Sequence, residues 1–333
     1  MGSTESMLAP FPWQGTDWAR LLVDLREERL HHALLFSGPS GIGKRLLAER
    51  LARSLMCASP ADDGDCGQCR CCRLMQAGTH PDCLRIAPEE PGRQIRIAQV
   101  REEMIDFVMR TASFAARKVV LIAPADAMNT ATANCLLKSL EEPTRGTYLL
   151  LVTDTPVRLL PTIRSRCRTV ALRPPGWEEA LQWFIARRGE TDAEDLLGAA
   201  SGHPLEALRL DGTDALRQFD RAANLLLRSA QPGPWYSTLA GEVADVDLHQ
   251  LLAWMQIYLG DLSRWMASPE SSRLPRALAV HEAMRARVSE QSVARLLRDT
   301  LRAARDARAT TNPNKTLLLE SLLAGWQGVA ADA

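Results

Sequence analysis

Apolar residues recur along the first half of the chain in two rhythms, one of helices and one of short buried strands. Trp18, Leu21, Leu22 and Leu25 fall on one helical face and predict a helix over 18–30. The run Ala33-Leu34-Leu35-Phe36 reads as a strand that stops at the glycine-rich stretch 38–43, from which a helix runs through Cys57. Further on, the pattern predicts strands at 84–86, 118–122, 148–152 and 169–172, with helices at 100–110 and 134–140 between them. Strands alternating with helices point to a parallel sheet covered on both faces.

Arg173-Pro174-Pro175-Gly176 breaks this rhythm, and no strand is expected beyond it. A small helical group is expected over 177–188, 193–200 and 205–210, and long amphipathic helices from about 212. Leu248, Leu251, Leu252, Met255, Leu259 and Leu262 keep one face; Val293, Leu296, Leu297, Thr300, Leu301 and Ala304 keep another. Leu318, Leu319, Leu322, Leu323 and Trp326 complete the pattern. The expected fold is an α/β domain at 1–172, a small helical domain at 173–211 and an all-helical domain at 212–333.

Charge narrows the function. Forty lysines and arginines against forty aspartates and glutamates leave a formal net charge of zero. Nucleic-acid modules carry a basic excess, so any contact with DNA is expected to be local or shared with partners. The arginine-rich stretch 295–308 reads as a solvated face. Lysine occurs only at Lys44, Lys118, Lys138 and Lys315, which singles out each one. No apolar run is long enough to span a membrane, and the first residues lack the basic and apolar regions of an export signal, so a cytoplasmic location is expected.

Gly38-Pro39-Ser40-Gly41-Ile42-Gly43-Lys44 fits the phosphate-binding pattern GxxxxGK and stands where that pattern must stand, between a strand and a helix. Gly38, Gly41 and Gly43 let backbone amides turn toward phosphate oxygens, and Lys44 reaches the outer phosphates. The surroundings oppose catalysis. The residue after the lysine should be Ser or Thr, to ligate magnesium, and is Arg45. The strand at 118–122 should end in carboxylates and runs instead into Ala123-Pro124-Ala125, with Asp126 the first acid. The loop reads as a retained scaffold without hydrolysis, leaving nucleotide binding through Lys44 open.

Cys57, Cys66, Cys69, Cys71 and Cys72 lie close together. In a chain without an export signal, clustered thiols favour metal over disulfide. Cys66–Cys69 and Cys69–Cys72 each have the two-residue gap that lets thiolates converge on one tetrahedral ion, and Cys57 can supply a fourth ligand. A structural zinc is expected, ordering an insertion too short and polar to form its own core. Cys71 is the spare thiol and His80 an alternative ligand. Cys83, Cys135 and Cys167 sit in apolar surroundings and read as core residues.

The phosphate loop, the cysteine insertion, the string LMQAGTHPD at 74–82, Asn134-Cys-Leu-Leu-Lys-Ser-Leu-Glu-Glu-Pro143 and Ser165-Arg166-Cys167 occur in that order. Together they resemble AAA+ subunits of bacterial DNA polymerase III clamp loaders, and the 74–82 string is similar to that of the delta-prime group. The resemblance implies a RecA-like AAA+ domain with a zinc module at 57–83, a helical lid and a C-terminal collar. It implies a non-hydrolysing stator in a five-subunit ring with gamma/tau motor subunits and delta, placing a sliding clamp on primed DNA. Arg166 would serve in trans at a neighbour's ATP site. Catalytic relatives carry Asp-Glu where this chain has Ala123-Pro124, and a sensing arginine near Leu205. Nothing in the chain resembles a polymerase site. The competing readings are an ATP-hydrolysing clamp-loader motor and a redox switch built on Cys71.

Overall fold

The expected strands assemble into one parallel sheet in the order β2-β3-β4-β1-β5, seen in a computed structural model that describes residues 10–331 apart from 91, 232, 234, 235, 244 and 310–313. The strands are β1 (Ala33–Ser37), β2 (Cys83–Ile86), β3 (Lys118–Ile122), β4 (Thr147–Thr153) and β5 (Arg168–Ala171). Period-two alternation divides the side chains of the inner strands. Leu34, Phe36, Val119, Leu121, Leu150 and Val152 enter one core with α1 (Gly15–Arg26) and α2 (Lys44–Met56). Leu35, Val120, Ile122, Leu149 and Leu151 enter the other, with α4 (Ile105–Met109) and α5 (Thr130–Glu141). Between α2 and β2 lies α3 (Arg70–Gln76), and between β4 and β5 lies α6 (Pro161–Arg164).

Three elements differ from expectation. Helix α1 stops at Arg26, because Glu28 takes a left-handed backbone (φ 53°) that turns the chain into β1, although Leu30 is still buried. The helix expected at 100–110 opens as a π-type turn at Gln99–Met104 before becoming α4. Val100, Met104 and Val108 are all buried, so the apolar face runs unbroken through the wider turn into α4. Helix α5 begins earlier than its apolar pattern suggests, since the Asn129 side chain caps it by accepting from the Thr132 amide at 2.9 Å.

The chain divides after Pro175, and the second unit is helical throughout its described residues. Helices α7 (Trp177–Arg188), α8 (Ala193–Ala199) and α9 (Pro204–Leu210) share that unit with α10 (Ala215–Ser229), α11 (Tyr236–Glu242), α12 (Leu248–Ala267), α13 (Leu278–Arg285), α14 (Glu290–Ala309) and α15 (Lys315–Ala331). The face expected on α12 is buried throughout. On α14 Val293, Leu296 and Thr300 are buried, while Leu301 is half exposed. No helix among the described residues is long and apolar enough to cross a membrane.

Two of the four lysines do work an arginine fork does less well, bringing one compact ammonium to converging carbonyls. Lys118 donates to the carbonyls of Phe107, Val108 and Arg110, closing the C-terminus of α4. Lys315 donates to Val243 and Val246. Lys44 belongs to the phosphate loop, and Lys138 is exposed.

The second unit buries an acid and a histidine together. Asp261 on α12 accepts from Ser272 Oγ at 2.7 Å, the Arg273 amide at 2.9 Å and Arg264 Nη2 at 2.9 Å. His281 on α13 lies 3.9 Å from Asp261 Oδ2, against the rings of Tyr258 and Trp265. Burial pushes its pKa down to about 4, against the pull of Asp261. The folded chain therefore keeps His281 neutral where the unfolded chain protonates it. Stability is complete above the unfolded pKa of about 6.5 and is lost as pH falls toward 4, by up to about 1.4 kcal/mol per unit. Denaturant titrations of the wild type and His281→Phe at pH 7 and pH 5 are expected to show a smaller loss of stability in the variant.

Candidate functional site

The phosphate loop has the shape its sequence requires. Gly38, Gly41 and Gly43 have φ of 146°, 75° and 90°, and a Cβ on Gly38 would come within 2.4 Å of the Leu172 carbonyl. The segment before α1 braces the loop: the Ile42 carbonyl accepts from Trp13 Nε1 at 3.0 Å and Gln14 Nε2 at 2.9 Å, and Phe11 stacks on Trp13. Lys44 opens α2, but its side chain is only 4% exposed. Its ammonium lies 2.6 Å from Asp154 Oδ1, just past β4, and also donates to the Pro39 carbonyl.

The positions that would hold magnesium are otherwise engaged. Arg45 points outward and pairs with Glu49 at 2.9 Å, one turn along α2. Beyond β3, Ala123 and Pro124 offer no carboxylate, and Asp126 Oδ1 accepts from Thr153 Oγ1 at 2.7 Å. Asp154 was missed by the sequence pattern because only the sheet order brings the end of β4 beside that of β1.

The cysteine insertion folds into a four-sulfur cluster. Cys57 ends α2 and Cys69 caps α3, and the sulfurs of Cys57, Cys66, Cys69 and Cys72 all lie within 4.8 Å of one another. Two of the separations, Cys57–Cys69 and Cys66–Cys72, are 4.0 Å. A tetrahedral ion with metal–sulfur bonds of about 2.3 Å needs edges of roughly 3.8 Å, so the donor set fits such an ion. Amides of Cys66, Cys69 and Cys72 point at Cys57, Cys66 and Cys69 sulfurs at 3.3–3.4 Å, as they do when a chain wraps an ion.

The thiols are unequally prepared. At Cys69 burial opposes ionisation, but the amides of Cys72 and Ala58 outweigh it and bring the pKa down to about 6. The amides of Gln68 and Cys69 lower Cys66, whereas burial raises Cys57 and Cys72. Ionising all four together requires a cation among them. Cys71 is buried outside the cluster. His80 lies outside the converging group; it is buried, and its Nδ1 accepts from the Asp82 amide at 3.1 Å. Cys167 is buried, and Cys83 and Cys135 pack partly buried against the two cores.

Arg166 lies just past α6. Its Nη2 meets Glu141 Oε1, at the end of α5, at 2.6 Å, and its Nη1 donates to the Thr162 carbonyl at 3.1 Å. Arg168 pairs with Asp24 at 2.7 Å, and Arg164 is exposed. Two of the three arginines on this edge are thus separately held, with Arg166 half exposed.

The string at 74–82 has a structural task. The buried Asp82 carboxylate accepts from the amides of Ser113 at 2.7 Å, Phe114 at 2.7 Å and Ala115 at 3.0 Å. Burial pushes its pKa up, yet these three amides overcome that and hold it below the usual value. One carboxylate therefore pins the loop that feeds β3.

A phosphate loop leaving β1 of a parallel sheet ordered 2-3-4-1-5, followed by a helical unit, defines an AAA+ fold. The family described as DNA polymerase III, delta subunit, matches residues 13–176, and its C-terminal counterpart matches 218–328. The DNA polymerase III subunit delta' of Pseudomonas aeruginosa is 38% identical over 95% of this chain and 97% of its own length. That of Escherichia coli K12 is 35% identical over 94% of each. The chain belongs to the DNA polymerase III delta' family. A gamma-subunit-related protein of DNA polymerase III from Thermotoga maritima shares the fold at a TM-score of 0.50 and 19% identity, covering 93% of this chain and 99% of its own.

Removing the Asp82 carboxylate strands three amide donors. Asp82→Ala is expected to lower stability by about 1–3 kcal/mol in urea titrations, with faster tryptic cleavage at Arg110 and Arg117.

Proposed function

We propose that this chain is a non-hydrolysing stator of a clamp loader, without enzymatic activity of its own. It would share a five-membered ring with motor subunits of the gamma/tau type and a delta subunit, in the cytoplasm. That ring would act on a sliding clamp and primed DNA, as part of a polymerase holoenzyme. The observation that carries the reading is the phosphate loop without metal ligands: Lys44 is sealed against Asp154, Arg45 replaces the hydroxyl, and Ala123-Pro124 replaces the acids. Phosphoryl transfer needs a cation to neutralise the charge that develops on the phosphate, and the hydroxyl and paired carboxylates that usually hold it are missing here. An ATP-hydrolysing motor is the poorer reading for the same reason. Gly38, Gly41, Gly43 and Lys44 remain as a scaffold.

Arg166 is assigned the role in trans. A guanidinium is always charged and planar, so it can meet a γ-phosphate with two donors. Glu141 and Thr162 hold it in one orientation at a half-exposed position, from which it can exchange a carboxylate for a phosphate. In this reading residues 173–211 form a lid and 212–333 the collar that joins the ring. Cys57, Cys66, Cys69 and Cys72 are assigned a structural zinc, which would cross-link the insertion at 57–83. Their sulfur separations and complete set of four donors, with no open position, support a structural role. A redox switch at Cys71 is disfavoured by its burial outside the cluster.

Protein purified without chelator is expected to carry one zinc by elemental analysis. Cys72→Ser should lose it and loosen 57–83 to proteolysis without unfolding the sheet, and Cys71→Ser should retain it.

Reconstitution with motor and delta subunits tests the role of Arg166. Arginine fingers are worth about 10³ to 10⁵ in rate in small GTPases, and one finger among several ATP sites should cost overall turnover less. Arg166→Ala is expected to assemble a full ring while slowing DNA-stimulated hydrolysis and clamp loading, with little rescue by Arg166→Lys. Lys44→Ala should leave both rates nearly unchanged. An Arg166→Ala ring with full rates would remove the assignment.

A further inference from the structure

Residues 58–65 must return the chain from Cys57 to Cys66, and they have almost no large apolar side chain with which to do so. Closing such a loop opposes backbone entropy. Polar ties to α1 and α2 close it. Ala61 and Gly64 exchange backbone hydrogen bonds at 2.8 and 3.2 Å. The Asp63 carbonyl accepts from Trp18 Nε1 at 3.1 Å and from Arg50 Nη2 at 3.0 Å, with the Arg50 guanidinium 4.6 Å from the centre of the Trp18 ring.

The most enclosed tie is ionic. Arg53 directs Nε at 3.0 Å and Nη2 at 2.6 Å to Asp65 Oδ2, and the two side chains are only 9% and 11% exposed. Arg53 stands one turn before Cys57 on α2, and Asp65 immediately precedes Cys66. The pair therefore joins the supports of two of the four thiols. Asp65 is not a fifth donor; it lies outside the sulfur cluster, with Oδ2 committed to the guanidinium.

Resting on the metal-site reading above, we propose that Arg53 and Asp65 are the positioning pair of the four-thiol site. The ion pair holds Cys66 in register with Cys57 before and during metal binding, and so sets how firmly the ion is retained. It also ties the site to α2, the helix that starts at the phosphate loop. A charge pair this enclosed cannot lose one member cheaply, because the other is left buried and unmatched. Partners that orient metal ligands from outside the coordination sphere typically change metal affinity by about 10–100-fold.

The test uses the full chain as wild type, Asp65→Asn, Arg53→Lys and Asp65→Glu. Zinc content is measured first, then the rate of zinc transfer to an excess of a colorimetric chelator, and then the absorption of the cobalt-substituted protein. Asp65→Asn and Arg53→Lys are expected to release zinc about 10–100-fold faster, Asp65→Asn with a lowered melting temperature as well, and both with the thiolate–cobalt bands still tetrahedral. Asp65→Glu, which keeps the charge, should stay close to the wild type. Release from both Asp65→Asn and Arg53→Lys at the wild-type rate overturns the proposal, as does a fall in melting temperature with release unchanged. If Asp65→Asn does not fold, Arg53→Lys decides by the same criterion. A wild type that carries no zinc would instead overturn the metal-site reading, a result distinguishable from unchanged release.

Discussion

Helix α2 must bury Leu47, Ala48, Leu51, Ala52, Leu55 and Met56 against the sheet, and that burial fixes where both of its ends fall. Each large apolar side chain so buried contributes about 1.5–3 kcal/mol, so the helix cannot slide or turn to suit its termini. Its first residue is Lys44 and its C-cap is Cys57. The phosphate loop and the sulfur cluster are thus set at opposite ends of one rigid element. What surrounds each end has to answer the groups the helix presents there.

At the first end the answer is internal. An ammonium as buried as Lys44 needs a counter-charge, which a nucleotide would supply in a working site. Here Asp154 supplies it, the Pro39 carbonyl takes a further bond, and Trp13 and Gln14 hold the Ile42 carbonyl from outside. The loop keeps its shape because three glycines with positive φ and the packing of Ile42 demand it, independently of any ligand. Arg166 is the contrasting case: a charge held by a half-exposed glutamate, not sealed, and so able to change partner.

At the second end the helix presents one of four thiols whose sulfurs could hold a metal ion. Four thiols this close cannot all ionise alone, and burial already holds Cys57 and Cys72 back while amides favour the thiolates of Cys66 and Cys69. The loop leading there is polar and is tied by charge pairs and backbone bonds in place of a core. A charged tie is more directional than an apolar contact, which suits a segment that leads into four closely spaced sulfur atoms.

The sequence by itself determined the strands, the phosphate loop and the four converging cysteines. Each depends on local pattern or short spacing: apolar runs for β1, β3 and β4, glycines at 38, 41 and 43, and the two-residue gaps from Cys66 to Cys72. The loss of magnesium ligands was legible too, since Arg45, Ala123 and Pro124 occupy defined places in that pattern. Tertiary structure alone decided the partners. Asp154 meets Lys44 because β4 lies beside β1, Glu141 meets Arg166 because the end of α5 comes beside α6, and Asp82 meets the amides at 113–115 across β2 and β3. It also placed His80 outside the converging group, ended α1 at Arg26 and left Leu301 half exposed. Periodicity records which face of an element is apolar; it carries no information about which distant charge folding will bring within 3 Å.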